Sequence, residues 1–132
     1  MCIRDRLGMS DTIILYGNKF NPLPYLRQMD VFILASRYEG KPVSVTEAQI
    51  LGIPCLITNY ESATSQVEHQ SNGVIMDNNY TSIYETIKKV IQNPQSLSRW
   101  KANTLAGSYS NEQDIKAFYS LIETKDVQKE GD

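Results

Sequence analysis

Apolar residues along this chain fall into short unbroken runs, separated by stretches in which they recur every three or four positions. Residues 12–16 are a β-branched and aromatic run closed by Gly17-Asn18, which predicts a buried strand. Asn21-Pro22 supplies an N-cap and a first-turn proline, and Leu23, Leu26 and Met29 form a short helical stripe behind it. Residues 31–35 form a second continuous apolar run and a second predicted strand. The polar segment 36–41 follows. Pro42 then opens a helix marked by Val43, Thr46, Ile50 and Leu51, and Gly52 ends it by accepting the left-handed conformation. Residues 53–58 predict a third strand, 59–65 a polar loop, 66–69 a helical turn, and 74–76 a fourth strand after the Asn72-Gly73 turn. Ser82-x-x-Glu85 matches a capping box ahead of the face Ile83, Ile87, Val90 and Ile91, and Asn93-Pro94 stops that helix. Residues 95–105, with Leu97, Trp100 and Leu105, predict another helix. A last one opens at Ser110-x-x-Gln113 and carries Ile115, Phe118, Tyr119 and Ile122.

Strands that read as continuous apolar runs, alternating with helices, predict a parallel sheet covered on both faces. The fold class expected is therefore α/β. The sheet reads as a partial Rossmann-like one, because no glycine-rich turn follows the first predicted strand. The chain has 132 residues, the size of one ordinary domain, and shows neither an internal repeat nor an internal boundary. Residues 1–10 read as a disordered or non-native leader, 11–124 as the domain, and 125–132 as a flexible tail.

Composition narrows the function classes. Hydrophobic residues at 41% and charged residues at 21% argue for a globular chain rather than a disordered one. Thirteen Lys and Arg against fifteen Asp and Glu give a net charge of −2, so no nucleic-acid partner is expected. No run approaches the ~18 apolar residues of a membrane span. Two cysteines exclude a disulfide-dense scaffold and fit a cytoplasmic protein with free thiols. Cys55, inside an apolar run, reads as a small buried hydrophobe rather than a nucleophile. One histidine, His69, without paired ligand spacing predicts no metal site. Trp100 reads as core, and Lys88-Lys89 as a solvated helix face.

The polar segment after the second predicted strand carries the candidate chemistry. In parallel sheets, ligands lie beyond the carboxyl ends of strands. Gly40 permits close backbone approach, Pro42 sets the helix start, and the amides of Val43, Ser44 and Val45 have no helical partner, which makes an anion site. Arg37 and Lys41 can add positive charge beside it, and Tyr38 is the tyrosine nearest the pocket. Glu39 in the loop and Glu47 one turn into the helix can face a single pocket, where carboxylates accept hydrogen bonds from vicinal diols. Amides for a diphosphate, with a diol acceptor at each end, would suit a nucleotide-diphosphate sugar. By spacing alone, Glu47 can equally favour the helix dipole, and Glu39 can be a solvated loop residue.

Residues 30–55, DVFILASRYEGKPVSVTEAQILGIPC, resemble the nucleotide-sugar-binding segment of family-four retaining glycosyltransferases, which have the two-domain type B fold. The shared pattern is a strand ending in Ser36, then Glu39-Gly40-x-Pro42, Glu47-Ala48, and Gly52-x-Pro54. The resemblance extends through Asn72-Gly73-Val74-Ile75-Met76. It implies that this chain is the C-terminal, donor-binding half-domain, truncated at its N-terminal side. Glu47 would hold the ribose, and Glu39 would face the transferred sugar as the catalytic residue. Gly40, Lys41, Pro42, Val43 and Ser44 would approach the diphosphate. The implied reaction is retaining transfer from a nucleotide-diphosphate sugar to an acceptor hydroxyl, as in polysaccharide biosynthesis, with no cofactor. The acceptor would be a carbohydrate or lipid-linked carbohydrate, bound mainly by a missing domain. That domain would also provide any peripheral contact with the inner face of the membrane, and this piece alone would be inactive. Departures are the absent early glycine loop and Arg/Lys clamp, Lys41 at a position often apolar, and a 59–66 loop without the frequent glycine pair. Thr58, Ser62, Thr64 and Ser65 stand there as candidate sugar neighbours. The rival readings are a non-catalytic nucleotide- or phosphate-binding α/β module and a protein–protein domain in which the carboxylates are incidental.

Overall fold

Four residues of unbroken apolar and β-branched character, Cys55–Thr58, form the middle of the structure, because only a strand covered on both faces can bury such a run. A computed structural model describes residues 2–110 and, beyond them, 112, 113, 115, 116 and 120. The helices are α1 (Ile3–Arg6), α2 (Leu23–Leu26), α3 (Val43–Ile50), α4 (Ala63–Gln66), α5 (Tyr80–Gln92) and α6 (Pro94–Ala106). The strands are β1 (Phe32–Leu34), β2 (Cys55–Thr58) and β3 (Gly73–Met76). The predicted last helix falls mostly outside the described residues, and the tail 125–132 falls wholly outside them.

The strands are parallel in the order β1-β2-β3, with Phe32 opposite Cys55 and Cys55 opposite Gly73. Side chains alternate across this sheet as the pleat requires. Cys55 and Ile57 pack with Val45 and Ala48 of α3, Ala63 of α4, Tyr60 and Val67 on one face. Leu56, Val74 and Met76 pack with Val90 of α5 and Trp100 of α6 on the other. The result is the expected α/β arrangement, a parallel sheet flanked by helices. Gly73 is required where β3 meets β2, since a Cβ there would land on the backbone oxygen of Cys55. Gly52 has φ +75°, and the Leu105 side chain occupies the space a Cβ would need.

The outer margin of β3 is covered by its own preceding loop. Ile75 N–H donates to His69 Nδ1 at 3.0 Å, and Gln70 N–H donates to Gly73 O at 2.7 Å. That loop is tied to α6: Trp100 Nε1–H donates to Gln70 O at 2.9 Å and Asn103 Nδ2 to Ser71 O at 2.8 Å.

Four local expectations change. Residues 12–16 form no strand, and Ile14 and Leu15 are 65% and 63% exposed. The backbone of Ile13 is engaged elsewhere, its N–H with Met9 O at 2.9 Å and its carbonyl with the Arg4 guanidinium at 3.2 Å. Apolar character cannot make a strand without a ladder partner. Residues 1–10, expected as a disordered or non-native leader, contain the turn α1, where Arg4 pairs with Asp5 at 2.6 Å. The helical turn expected at 66–69 lies earlier, at α4, because Ala63 and Gln66 are drawn into the core. The cap of α5 is Asn79, whose side chain accepts from Ser82 N–H at 2.8 Å. Ser82 Oγ accepts instead from Asp77 N–H at 3.0 Å.

Candidate functional site

The loops at the carboxyl ends of the strands are set by hydrogen bonds between distant parts of the chain. Thr58, the last residue of β2, is fully buried, and its hydroxyl donates to Ser36 O at the end of the β1 run. Ser62 Oγ donates to Gly40 O, so the segment after β1 leans onto the segment after β2. Gln66 completes the attachment. Its Nε2 donates to Pro42 O at 3.1 Å, and its Oε1 accepts from the Tyr60 hydroxyl at 3.1 Å. Its own carbonyl accepts from Gln49 Nε2 at 2.5 Å. Gln49 and Gln66 are both buried, so a polar framework fixes where α3 begins.

Helix α3 starts at Val43 after Pro42, which is extended at φ −64° and ψ 122°. Of the three amides expected to be free there, Val45 N–H is engaged, donating to Pro42 O at 3.3 Å. A tightened first turn therefore narrows the anion cradle to the Val43 and Ser44 amides, which have no intrahelical acceptor. Val43 itself is 69% exposed, so the start of the helix is open to a ligand.

The two glutamates do not share one pocket. Glu39, with Arg37, Tyr38, Gly40, Tyr60 and Glu61, lines a cleft of about 350 Å³. Glu47 and Ser44, three positions apart on one flank of α3, line another of about 490 Å³. Its opposite wall comes from residues 16–19, Tyr25 and Leu26. Lys41, Pro42 and Val43 line neither; they form the stretch that joins the two linings. The separation arises because Thr58 and Ser62 pull the Glu39 loop toward β2, while α3 carries Glu47 away along its own axis. Of Thr58, Ser62, Thr64 and Ser65, Thr58 and Ser62 hold backbone carbonyls, and Ser65 Oγ donates to Ser62 O at 2.7 Å.

Electrostatics separate reactive groups from structural ones. Burial pushes the Tyr60 phenol up to about 12, and the neighbouring Glu39 carboxylate adds to the effect. Tyr60 therefore stays a neutral donor. Burial likewise pushes the Cys55 thiol up to about 12, which suits a core residue and not a nucleophile. In the Glu47 cavity, the rings of Tyr16 and Tyr25 lie 4.7 Å apart at 55°, and Lys19 Nζ sits 5.5 Å from the Tyr25 centroid. Among the described residues, no three His, Cys, Asp or Glu side chains converge on a metal position.

Sequence reasoning missed Gln49, Gln66 and the Tyr16–Tyr25 wall. The available signal for Gln49 was its place on the helix face that carries Val45 and Ala48. A polar residue at a core position needs a partner, and here the partner is Gln66.

Comparison with known proteins adds an ancestry to this geometry. The family model described as "Glycosyl transferases group 1" matches residues 2–106. The chain is 31% identical over 74 residues to the Escherichia coli UDP-Gal:alpha-D-GlcNAc-diphosphoundecaprenol alpha-1,3-galactosyltransferase, covering 55% of this chain and 19% of that protein. It is 40% identical over 60 residues to the putative glycosyltransferase EpsF of Bacillus subtilis, covering 46% of this chain and 15% of that one. The chain thus spans about a fifth or less of these relatives' length. Among solved structures, Anabaena Alr3699/HepE in complex with UDP superposes with a TM-score of 0.75 at 20% identity, over 89% of this chain and 35% of that chain. Sucrose-phosphate synthase from Thermosynechococcus elongatus does so at 0.77 and 14%, over 94% of this chain and 33% of that chain. At these identities the likeness establishes a common fold.

Proposed function

The chain belongs to the group 1 glycosyl transferases, and from that premise we propose that it carries part of the donor-binding half of a retaining transferase. That enzyme moves a sugar from a nucleotide diphosphate to an acceptor hydroxyl. The observation that carries this reading is the pair of cavities joined by the start of α3, one lined by Glu47 and the other by Glu39 with Glu61 beside it. A nucleotide sugar has the same layout: two polyhydroxylated rings joined by a diphosphate. Glu47 accepts hydrogen bonds from the ribose diol, and the base lies against the Tyr16 and Tyr25 rings, whose flat faces offer stacking surface. The amides of Val43 and Ser44 meet the diphosphate, aided by the positive end of the helix; Gly40, Lys41 and Pro42 carry the backbone past it. Glu39 faces the transferred sugar in the neighbouring cleft. There a carboxylate orients the ring hydroxyls and favours the positive charge that develops as the diphosphate departs. Tyr60, kept neutral beside it, adds no charge of its own.

The base is proposed as uracil, because HepE, which shares the fold, is described with UDP. The acceptor is proposed as a lipid-linked or free glycan, as the name of the Escherichia coli relative indicates for that protein. Such chemistry would take place at the cytoplasmic face of the membrane. No described helix is long and apolar enough to cross it.

Calorimetric titration of UDP, 2′-deoxy-UDP and UDP-glucose tests the assignment. Hydrogen bonds to a charged group are worth about 1.5–3 kcal/mol, so Glu47→Ala should weaken UDP by roughly 10- to 100-fold. It should weaken 2′-deoxy-UDP much less. Glu39→Ala should leave UDP unchanged and weaken UDP-glucose relative to it. Equal affinities across all three proteins would remove both roles.

A further inference from the structure

A third cavity, of about 550 Å³, belongs to neither glutamate. It runs beside β3, between that strand and helices α5 and α6, and its volume falls within the roughly 300–1,000 Å³ typical of small-molecule sites. We propose that this cleft is a second, nucleotide-independent site that binds a neutral saccharide unit of a glycan.

The chemistry of the lining selects that ligand. Its floor is apolar, formed by Val74, Val90 and Trp100, all buried. The Trp100 indole N–H is already engaged with Gln70 O, so this ring offers carbon surface alone. Above the floor, the walls carry groups of the amphiprotic kind. Ser82, Thr86 and Ser96 bring hydroxyls, and Gln92 and Asn93 bring amides that both donate and accept. His69 Nδ1 accepts from Ile75 N–H, so the neutral ring carries its proton on Nε2 and donates from there.

The formal charges in the cleft are one carboxylate, Asp77, and one ammonium, Lys89, beside the imidazole. They nearly balance, which disfavours a phosphate, a nucleotide or a polycation. A pyranose matches the set, with carbon–hydrogen faces for the floor and hydroxyls that both donate and accept for the walls. Asp77 supplies the diol acceptor. Its backbone is fixed by donation of its N–H to Ser82 Oγ at 3.0 Å, which places the carboxylate at the exit of β3 on a firm base. The cleft runs along β3 from Asp77 and Ser82 at the strand's carboxyl end to His69 and Gln70 at its amino end.

The test is backbone amide NMR of the full chain titrated with methyl α-glycosides of glucose, galactose, mannose and N-acetylglucosamine. At least one should shift amides at 69–70, 74–77 and 82–93, and excess UDP should not reverse the shifts. Asp77→Ala and Gln92→Ala should each weaken that binding by about fivefold or more while keeping the wild-type circular dichroism and melting temperature. Three results would overturn the assignment: no shifts from any glycoside at tens of millimolar, shifts with wild-type affinity in both variants, or displacement of the glycoside by sulfate. Failure of UDP to bind would strike the donor reading alone and leave this result standing.

Discussion

Replacing Gln66 by Leu tests whether the buried polar framework, rather than apolar packing, fixes the start of α3. Leucine is close in volume and keeps the contacts of the side-chain stem, so the change acts on hydrogen bonds. Two good ones disappear, from the Tyr60 hydroxyl to Oε1 and from Nε2 to Pro42 O, both 3.1 Å. A longer one, Nε2 to Thr46 Oγ1 at 3.5 Å, goes with them. The Gln66 backbone and its bond from Gln49 remain. A buried group left without a partner costs about 1–3 kcal/mol, and the Tyr60 hydroxyl is such a group; the Pro42 carbonyl keeps its bond from Val45 N–H. The expected destabilisation is about 1–3 kcal/mol, a large share of the ~5–15 kcal/mol of an ordinary domain. With a urea slope of about 1–3 kcal/mol per molar, the unfolding midpoint should fall by roughly 1 M. Tyr60→Phe removes that orphan, so the double variant should recover about 1 kcal/mol relative to the sum of the singles. A Gln66→Leu midpoint within experimental error of wild type, or strict additivity with Tyr60→Phe, would refute the reasoning.

Gly73→Ala drives a methyl group into the Cys55 backbone oxygen, which cannot swing aside as a side chain can, so β2 and β3 must separate. A loss of about 1–3 kcal/mol in denaturant unfolding is expected; a neutral result would mean that the ladder has slack there. Both Tyr60 and Cys55 have pKa values raised to about 12 in the fold, from 10 and 9. Their contribution is complete below pH 9 and is lost as pH rises toward 12, because the unfolded chain releases those protons first. Stability measured across this window should fall, each group contributing a slope of up to about 1.4 kcal/mol per pH unit. Cys55→Ala should flatten the early part of the decline. Thiol labelling of the native protein should modify exposed Cys2 quickly and buried Cys55 only at the rate of unfolding, and fast labelling of both would contradict the packing.

The centre of the fold was legible because burial on both faces forces an unbroken apolar run, and β2 has one. The helices α5 and α6 were legible for a related reason, since Ile83, Ile87 and Val90 mark one face, Asn93-Pro94 marks its end, and Leu97, Trp100 and Leu105 mark the next. The run at 12–16 misled because apolarity reports a wish for burial and says nothing of a ladder partner. Ser82 was mistaken for the cap of α5 because it satisfies the local pattern as well as Asn79 does; only the strand exit at Asp77, which takes the Ser82 hydroxyl, separates the two. At the site, the carboxylates and the helix start were readable from residue type and order. Their division between two cavities was not. It depends on Thr58 and Ser62, more than twenty residues away in sequence from the carbonyls they hold, and no spacing rule within 39–47 contains that information.

The coverage of β3 by His69 and Gln70 makes the two margins of the sheet unequal. A newcomer strand needs alternating donors and acceptors, and at β3 the Ile75 donor and the Gly73 acceptor are already engaged. At Phe32–Leu34, β2 is the sole partner among the described residues. Among the described residues, growth can therefore proceed from one rim only. Molecules that join edge to edge consume their single live rim in the first encounter, so association by this route closes at a pair and cannot run on into a fibre.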